Sequence, residues 1–278
     1  MKELIDFIVL GIVIALIVSL ALLLKDRYNK NYNEIVKKDV KSFSNKQIVI
    51  GICLMLPMGL WIVINLSTQN LILFEIIAGI MLISITAHIL TKNKLALISG
   101  IIYPLFYYYW WNIFTFNAIA IFLALGAILM IQQYIKPKQM LIICFLLIIY
   151  DFIMVYITTD MVTAAHRIIE TELPILVHIK CTSAKGIMLG IGDILFSGLL
   201  VLNVSKWKNY DFGVGLRFNF IFCALSISLL IIAIQITPTA VPATIPIMIA
   251  AGIAIGLFEM KAFHTKLQNL GSDDFKSP

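Results

Sequence analysis

Apolar residues run along this chain in long blocks, broken by short polar interruptions such as STQN at 67–70, TKN at 91–93 and QQYIKPKQ at 132–139. A helix that crosses a bilayer needs about 20 predominantly apolar residues, with roughly 17 as the lower limit. On that criterion the pattern predicts nine membrane helices, over 5–24, 48–66, 71–90, 95–110, 113–131, 140–157, 186–204, 217–236 and 241–260. The fourth is the shortest and ends in the aromatic cluster YPLFYYYWW (Tyr103–Trp111), which suits an interfacial belt where amphipathic rings sit at headgroup level. The predicted fold is all-α, a polytopic integral membrane bundle forming a single membrane domain over 1–278. No low-complexity tract, Pro/Ser-rich linker or soluble module interrupts it. The first block is followed by lysine and lacks a small-residue cleavage site, so it reads as an uncleaved anchor and not a signal peptide.

Composition agrees with the pattern. Of the 278 residues, 61% are hydrophobic and only 13% charged, with a mean hydropathy of +0.98. A soluble domain carries about 25% charged residues, so lipid solvates most of this surface. The net charge of +6 does not point to nucleic acid, because the basic residues lie between apolar blocks. Their distribution orients the chain instead. Segments 25–47, 91–94, 132–139, 205–217 and 261–278 fall on one face of a nine-span topology and hold 17 of the 21 basic residues. Basic loops stay in the cytoplasm, so a cell-membrane, multi-pass protein is expected with its N-terminus outside and its C-terminus cytoplasmic. The four cysteines, at 53, 144, 181 and 223, form no CxxC pair and read as small hydrophobes. His166 and His178 have no metal-ligand spacing, and no phosphate-binding loop appears. No cofactor beyond water and no metal is expected.

Two acids stand out. Ionising a carboxyl at the bilayer centre costs at least ~2.5–3.5 kcal/mol, yet Asp151 lies in the sixth block (LIIYDFIMVY) and Asp193 in the seventh (MLGIGDILFSGLL). Asp6, Glu75 and Glu259 sit near block ends and are expected to reach the interface. At about 1.5 Å per helical residue, Asp151 lies roughly 9 Å from the outer end of its span and Asp193 roughly 10 Å from the outer end of the next. Antiparallel neighbours would thus carry carboxyls at one level. Small residues Gly190 and Ser197 flank Asp193 on its helix face, whereas Leu147, Ile148, Met154 and Val155 surround Asp151. Two carboxyls held together there cannot both ionise, and one proton is expected to be shared by the pair. Such a dyad activates water: the carboxylate takes a proton from it while the acid protonates the carbonyl oxygen under attack.

The YD at Tyr150–Asp151 and the GIGD at Gly190–Asp193 resemble the YD and GxGD motifs of the presenilin / signal peptide peptidase family of intramembrane aspartyl proteases. A third landmark of that family, a Pro-Ala-Leu motif opening the last helix, is matched by Pro242-Ala243-Thr244 within TPTAVPATIP, with threonine in place of leucine. The resemblance implies nine spans, catalytic Asp151 and Asp193 in a catalytic half over 140–278, and hydrolysis of peptide bonds within transmembrane helices. It further implies that Tyr150, Gly190, Gly192, Pro242, Ala243 and Thr244 contact the substrate. The loop over 158–185, predicted as a short helix capped by Asp160 followed by an extended Leu173–Ile179, would then help form a substrate-binding sheet. On orientation the chain is similar to signal peptide peptidase, so the implied partners are helices with a cytoplasmic N-terminus, such as signal-peptide remnants or type II anchors.

Bland alternatives stand beside these readings. Gly190 and Gly192 also suit close helix packing, and Pro238, Pro242 and Pro246 suit an ordinary helix start. The loop over 158–185 reads equally as a simple cover. A prepilin-type peptidase also uses a GxGD aspartate, but usually with a lysine soon after it, where Asp193 is followed by Ile-Leu-Phe. From another class, a proton-coupled membrane transporter would use the same two aspartates as a relay. An inactive binder would retain the fold alone.

Overall fold

The computed structural model describes residues 2–36, 42–180, 187–236 and 243–273, with side chains described between 4 and 260. Ten α-helices account for most of it: α1 (Lys2–Val36), α2 (Asn45–Asn65), α3 (Thr68–Thr91), α4 (Ile102–Tyr109), α5 (Ile113–Ile131), α6 (Pro137–Phe152), α7 (Asp160–Glu170), α8 (Ile191–Trp207), α9 (Phe212–Ile236) and α10 (Thr244–Asp273). Six helices among the described residues are long and apolar enough to cross a membrane: α1, α2, α3, α5, α6 with its extension to Ile157, and α9. The protein is a multi-pass helical membrane bundle.

The remaining apolar blocks differ from plain 20-residue helices, each for a physical reason. The block at 95–110 is a 3₁₀ helix over Lys94–Ile101 running into α4. A 3₁₀ helix rises about 2.0 Å per residue, so the two pieces together reach roughly 28 Å with fewer residues than an α-helix needs. Gly100 permits this path. A Cβ there would lie 2.3 Å from Ser84 Oγ and 2.4 Å from the Ile80 carbonyl oxygen, so the segment presses directly on the backbone of α3. The aromatic cluster divides: Tyr108, Tyr109 and Trp110 are exposed, whereas Tyr103 is fully buried between α3 and α5. The first helix runs well past residue 24, because no glycine or proline interrupts 25–36 and its charged residues are helix formers. At about 1.5 Å per residue its 35 residues span roughly 52 Å, far more than a hydrocarbon core.

Two short strands amend the all-α expectation. β1 (Leu176–Ile179) pairs antiparallel with β2 (Ile187–Gly190) in the register Leu176 to Gly190, Val177 to Leu189, His178 to Met188 and Ile179 to Ile187. The block at 186–204 is therefore strand first and helix second. Gly190, extended at φ −63° and ψ 141°, is where one becomes the other.

The core lies among α1, α5, α8 and α9, where Leu10, Val18, Ile128, Val201, Phe218 and Phe222 are buried. Close approach rests on small residues, as expected where lipid supplies no hydrophobic drive between helices. A Cβ on Gly198 of α8 would meet Ile128 Cδ1 of α5 at 2.6 Å. Asn219 of α9 donates to the Ala15 carbonyl and Ser19 Oγ of α1, at 2.8 and 3.0 Å. By contrast α2 buries only Ile48 and packs against α6 and α7, which leaves most of its surface to lipid.

Candidate active site

Three elements converge: the C-terminal end of α6, the start of α8 and the start of α10. Asp151 is the penultimate residue of α6 and is only 6% exposed. Immediately beyond it the helix widens into a π turn over Ile153–Ile157, closed by the Thr158 N–H donating to the Ile153 carbonyl at 3.0 Å. Such turns re-aim side chains and recur at functional sites.

Asp193 stands in the first turn of α8, not seven residues into a helix as its sequence position implied. The four strand residues before it cover about 3.3 Å each, so it sits deeper than a helical rise predicts. Its Oδ2 curls back over Gly190, 3.5 Å from where a Cβ at that position would be. Asp151 and Asp193 lie on α6 and α8, two helices that pack against each other, close enough for the charge of one acid to bear on the other.

Thr244 joins them. It is 3% exposed, and its Oγ1 donates a 2.6 Å hydrogen bond to Asp151 Oδ2. Its backbone N–H faces the same carboxyl. Ala243, whose carbonyl accepts from Ile247 at 3.2 Å, caps α10, so Thr244 is the first helical residue and its N–H has no partner within the helix. Asp151 supplies the missing acceptor from another helix, as carboxylates do at helix N-termini. Thr244, expected to touch substrate, also holds the Asp151 carboxyl group.

Other expected site residues fall as follows. Tyr150 precedes Asp151 and is half-buried, and Ala243 packs on the core. Gly192 is exposed, and among the described residues a Cβ there would meet nothing within 4 Å, while at Gly190 it would meet Asp193 Oδ2 at 3.5 Å. Among those residues helix packing does not account for glycine at 190 or 192, whereas it does at Gly198. Pro242 and Pro238 lie outside the described residues. Among the described residues no group of three or more His, Cys, Asp or Glu is arranged to hold a metal. Asp160 is the first helical residue of α7 and not its cap, since Thr159 holds that position.

Two acids depart from the interfacial reading. Asp6 is fully buried, and Glu75 is 8% exposed with no hydrogen-bond partner for Oε2 among the described residues.

One polar residue that the sequence reading passed over touches the strand pair. Asn117 of α5 accepts from the His178 N–H at 2.8 Å and donates to the His178 carbonyl at 2.7 Å. A lone amide in an apolar helix demands a partner, and that signal was available in FTFNAIAIF at 114–122.

No family model matches the chain, and no curated protein is similar to it in sequence. Solved structures are. The chain is similar to a presenilin-family intramembrane aspartate protease in a C222 crystal form, with a TM-score of 0.60 and 17% identity over 90% of this chain and 98% of that one. It is similar to such a protease in a P2 form with a TM-score of 0.57 and 15% identity, over 88% and 95% of the two chains. The chain has the fold of the presenilin-family intramembrane aspartate proteases.

Proposed function

We propose that this protein is an intramembrane aspartyl endopeptidase, with Asp151 and Asp193 as its catalytic dyad. The observation that carries the proposal is the placement of two acids on packed neighbouring helices, within electrostatic reach of each other, in a bundle of this fold. Both acids, the strand pair and α10 belong to the half of the chain after residue 140.

One carboxylate removes a proton from water, and the resulting oxygen nucleophile attacks the carbonyl carbon of the scissile peptide. The other acid gives its proton to the carbonyl oxygen, forming a gem-diol. Collapse breaks the C–N bond, a proton passes to the departing nitrogen, and a carboxylic acid and an amine are released. The Thr244 hydroxyl donates to Asp151 Oδ2 and so orients the carboxyl at the start of α10.

A substrate helix must unwind before its carbonyl can be attacked, and its freed backbone groups then need partners in lipid. The β2 strand offers them, ending at Gly190 beside Asp193. An extended segment adding to it would gain main-chain hydrogen bonds. Gly192, where a Cβ would meet nothing within 4 Å among the described residues, and Gly190, where it would make ordinary contact with Asp193 Oδ2, let that segment approach closely. The uneven distribution of basic residues supports an N-terminus outside, hence substrates with a cytoplasmic N-terminus such as signal-peptide remnants and type II anchors.

The test uses purified full-length protein and a fluorogenic transmembrane peptide. Wild type is expected to cleave it, and both Asp151→Asn and Asp193→Asn to abolish cleavage. Cleavage that survives either substitution overturns the assignment. In liposomes, a reporter helix with its N-terminus on the C-terminal side of the enzyme should be cut in preference to its reverse.

A further inference from the structure

The strand pair has two edges, and one of them is occupied. In an antiparallel pair, directly opposed residues alternate between exchanging hydrogen bonds and turning their main-chain groups outward. The Ile191 N–H donates to the Ile175 carbonyl at 2.9 Å, which fixes the phase of that alternation. Val177 with Leu189 and Ile179 with Ile187 then bond across the pair, while His178 and Met188 turn their N–H and C=O groups away from each other. The outward groups of His178 are the two that Asn117 binds. Its side-chain amide takes the place of a third strand at that residue. The sheet among the described residues consists of β1 and β2 alone, so the outward groups of Met188 on β2 face no further strand.

We propose that Asn117 is a positioning residue that closes the β1 edge of the sheet, so that an extended substrate segment adds to β2 alone and in one register relative to Asp193. The proposal rests on the proteolytic reading above. Its chemistry is local. Unpaired groups at a strand edge are a template for any extended chain, and a substrate on the wrong edge would lie a strand's width, about 4.8 Å, further from the acids. Val177 and Ile179 bury their side chains in the core beside α5, so β1 is anchored by packing as well as by the amide. Binding both polar groups of one residue also opposes slippage of β1 along its axis, and through the pairing it holds β2 in register.

The experiment compares wild type with Asn117→Leu and Asn117→Gln, reading KM, kcat and the bonds cut by mass spectrometry of the products. Leucine removes both hydrogen bonds at similar volume. Asn117→Leu is expected to raise KM about tenfold, the effect of about one hydrogen bond's worth of binding, with kcat changed less than threefold and products from two or more neighbouring bonds. Asn117→Gln, which keeps the amide, should restore a single dominant bond. Backbone hydrogen exchange on the wild-type protein supplies a readout independent of how the variants fold. The His178 amide should be protected before peptide is added, and the Met188 amide should gain protection only with a bound, uncleavable transmembrane peptide. Unchanged KM and cleavage position in Asn117→Leu, or protection gained on the β1 edge, overturns the clamp while leaving the protease assignment intact. A wild type that cuts no transmembrane peptide overturns both.

Discussion

Thr244 Oγ1 donates to Asp151 Oδ2 across 2.6 Å, tying the first residue of α10 to the C-terminal end of α6. Leucine, the residue that the resembling family motif carries at this position, has no donor to give. The hydroxyl therefore supplies a contact that the motif alone does not describe: it ties the Asp151 carboxyl to the start of α10 and restrains its rotamer.

Removing that donor without changing shape isolates its contribution. Thr244→Val is expected to lower kcat/KM by roughly 10- to 100-fold, since hydrogen bonds to charged groups contribute about 1.5–3 kcal/mol and each ~1.4 kcal/mol is tenfold in rate. Thr244→Ser keeps the donor and should stay within about fivefold of wild type, the residue of a more mobile rotamer. Peptide cleavage by the three proteins, alongside their thermal unfolding in detergent, separates orientation of the carboxyl from loss of fold.

Two glycines on α8 make opposite predictions. Gly198→Ala drives a methyl to 2.6 Å from Ile128 Cδ1 and 3.0 Å from its Cγ1, so overpacking should destabilise the protein by about 1–3 kcal/mol. Gly192→Ala meets no atom of the described residues within 4 Å and improves helix propensity in the first turn of α8. Its stability should be unchanged or slightly raised, while transmembrane-peptide cleavage falls at least tenfold because the methyl stands where substrate backbone approaches. Unfolding curves and cleavage rates for both variants check the pair. An active Gly192→Ala enzyme would return that glycine to a role without contact to substrate.

What the sequence revealed and what it hid divide along a physical line. Hydropathy depends on single blocks, so the long helices α2, α3, α5 and α9 were legible with boundaries close to those observed. The two acids were legible because a carboxyl in lipid is costly wherever it lies. What escaped depended on contacts between distant residues. The apolar block at 186–204 reads as helix throughout, yet its first four residues form a strand because Leu176–Ile179 lies alongside to pair with them. The 3₁₀ segment before α4 follows from the contact between Gly100 and Ile80. Asn117 and Thr244 gain their roles only from partners 61 and 93 positions away. Asp6 and Glu75 were misread for the same reason. Distance from a block end sets how far a side chain reaches, but neighbouring helices decide whether it meets water.

Glu75 yields the last prediction. It lies on α3, which packs against α4, and its Oε2 has no hydrogen-bond partner among the described residues. Among those residues the Tyr103 hydroxyl, from the same aromatic cluster, is buried without a partner as well. A buried polar group left unpaired costs about 1–3 kcal/mol, a cost that an apolar side chain of similar volume removes. Glu75→Met is therefore expected to raise the unfolding midpoint in detergent by roughly 2–8 °C and to leave peptide cleavage within about twofold of wild type, since neither of the proposed catalytic acids, Asp151 and Asp193, acts on it. If Glu75→Met instead lowers cleavage tenfold or more at undiminished stability, the unpaired oxygen belongs to the working site, and the free energy it costs is retained for a substrate or water contact made only during turnover.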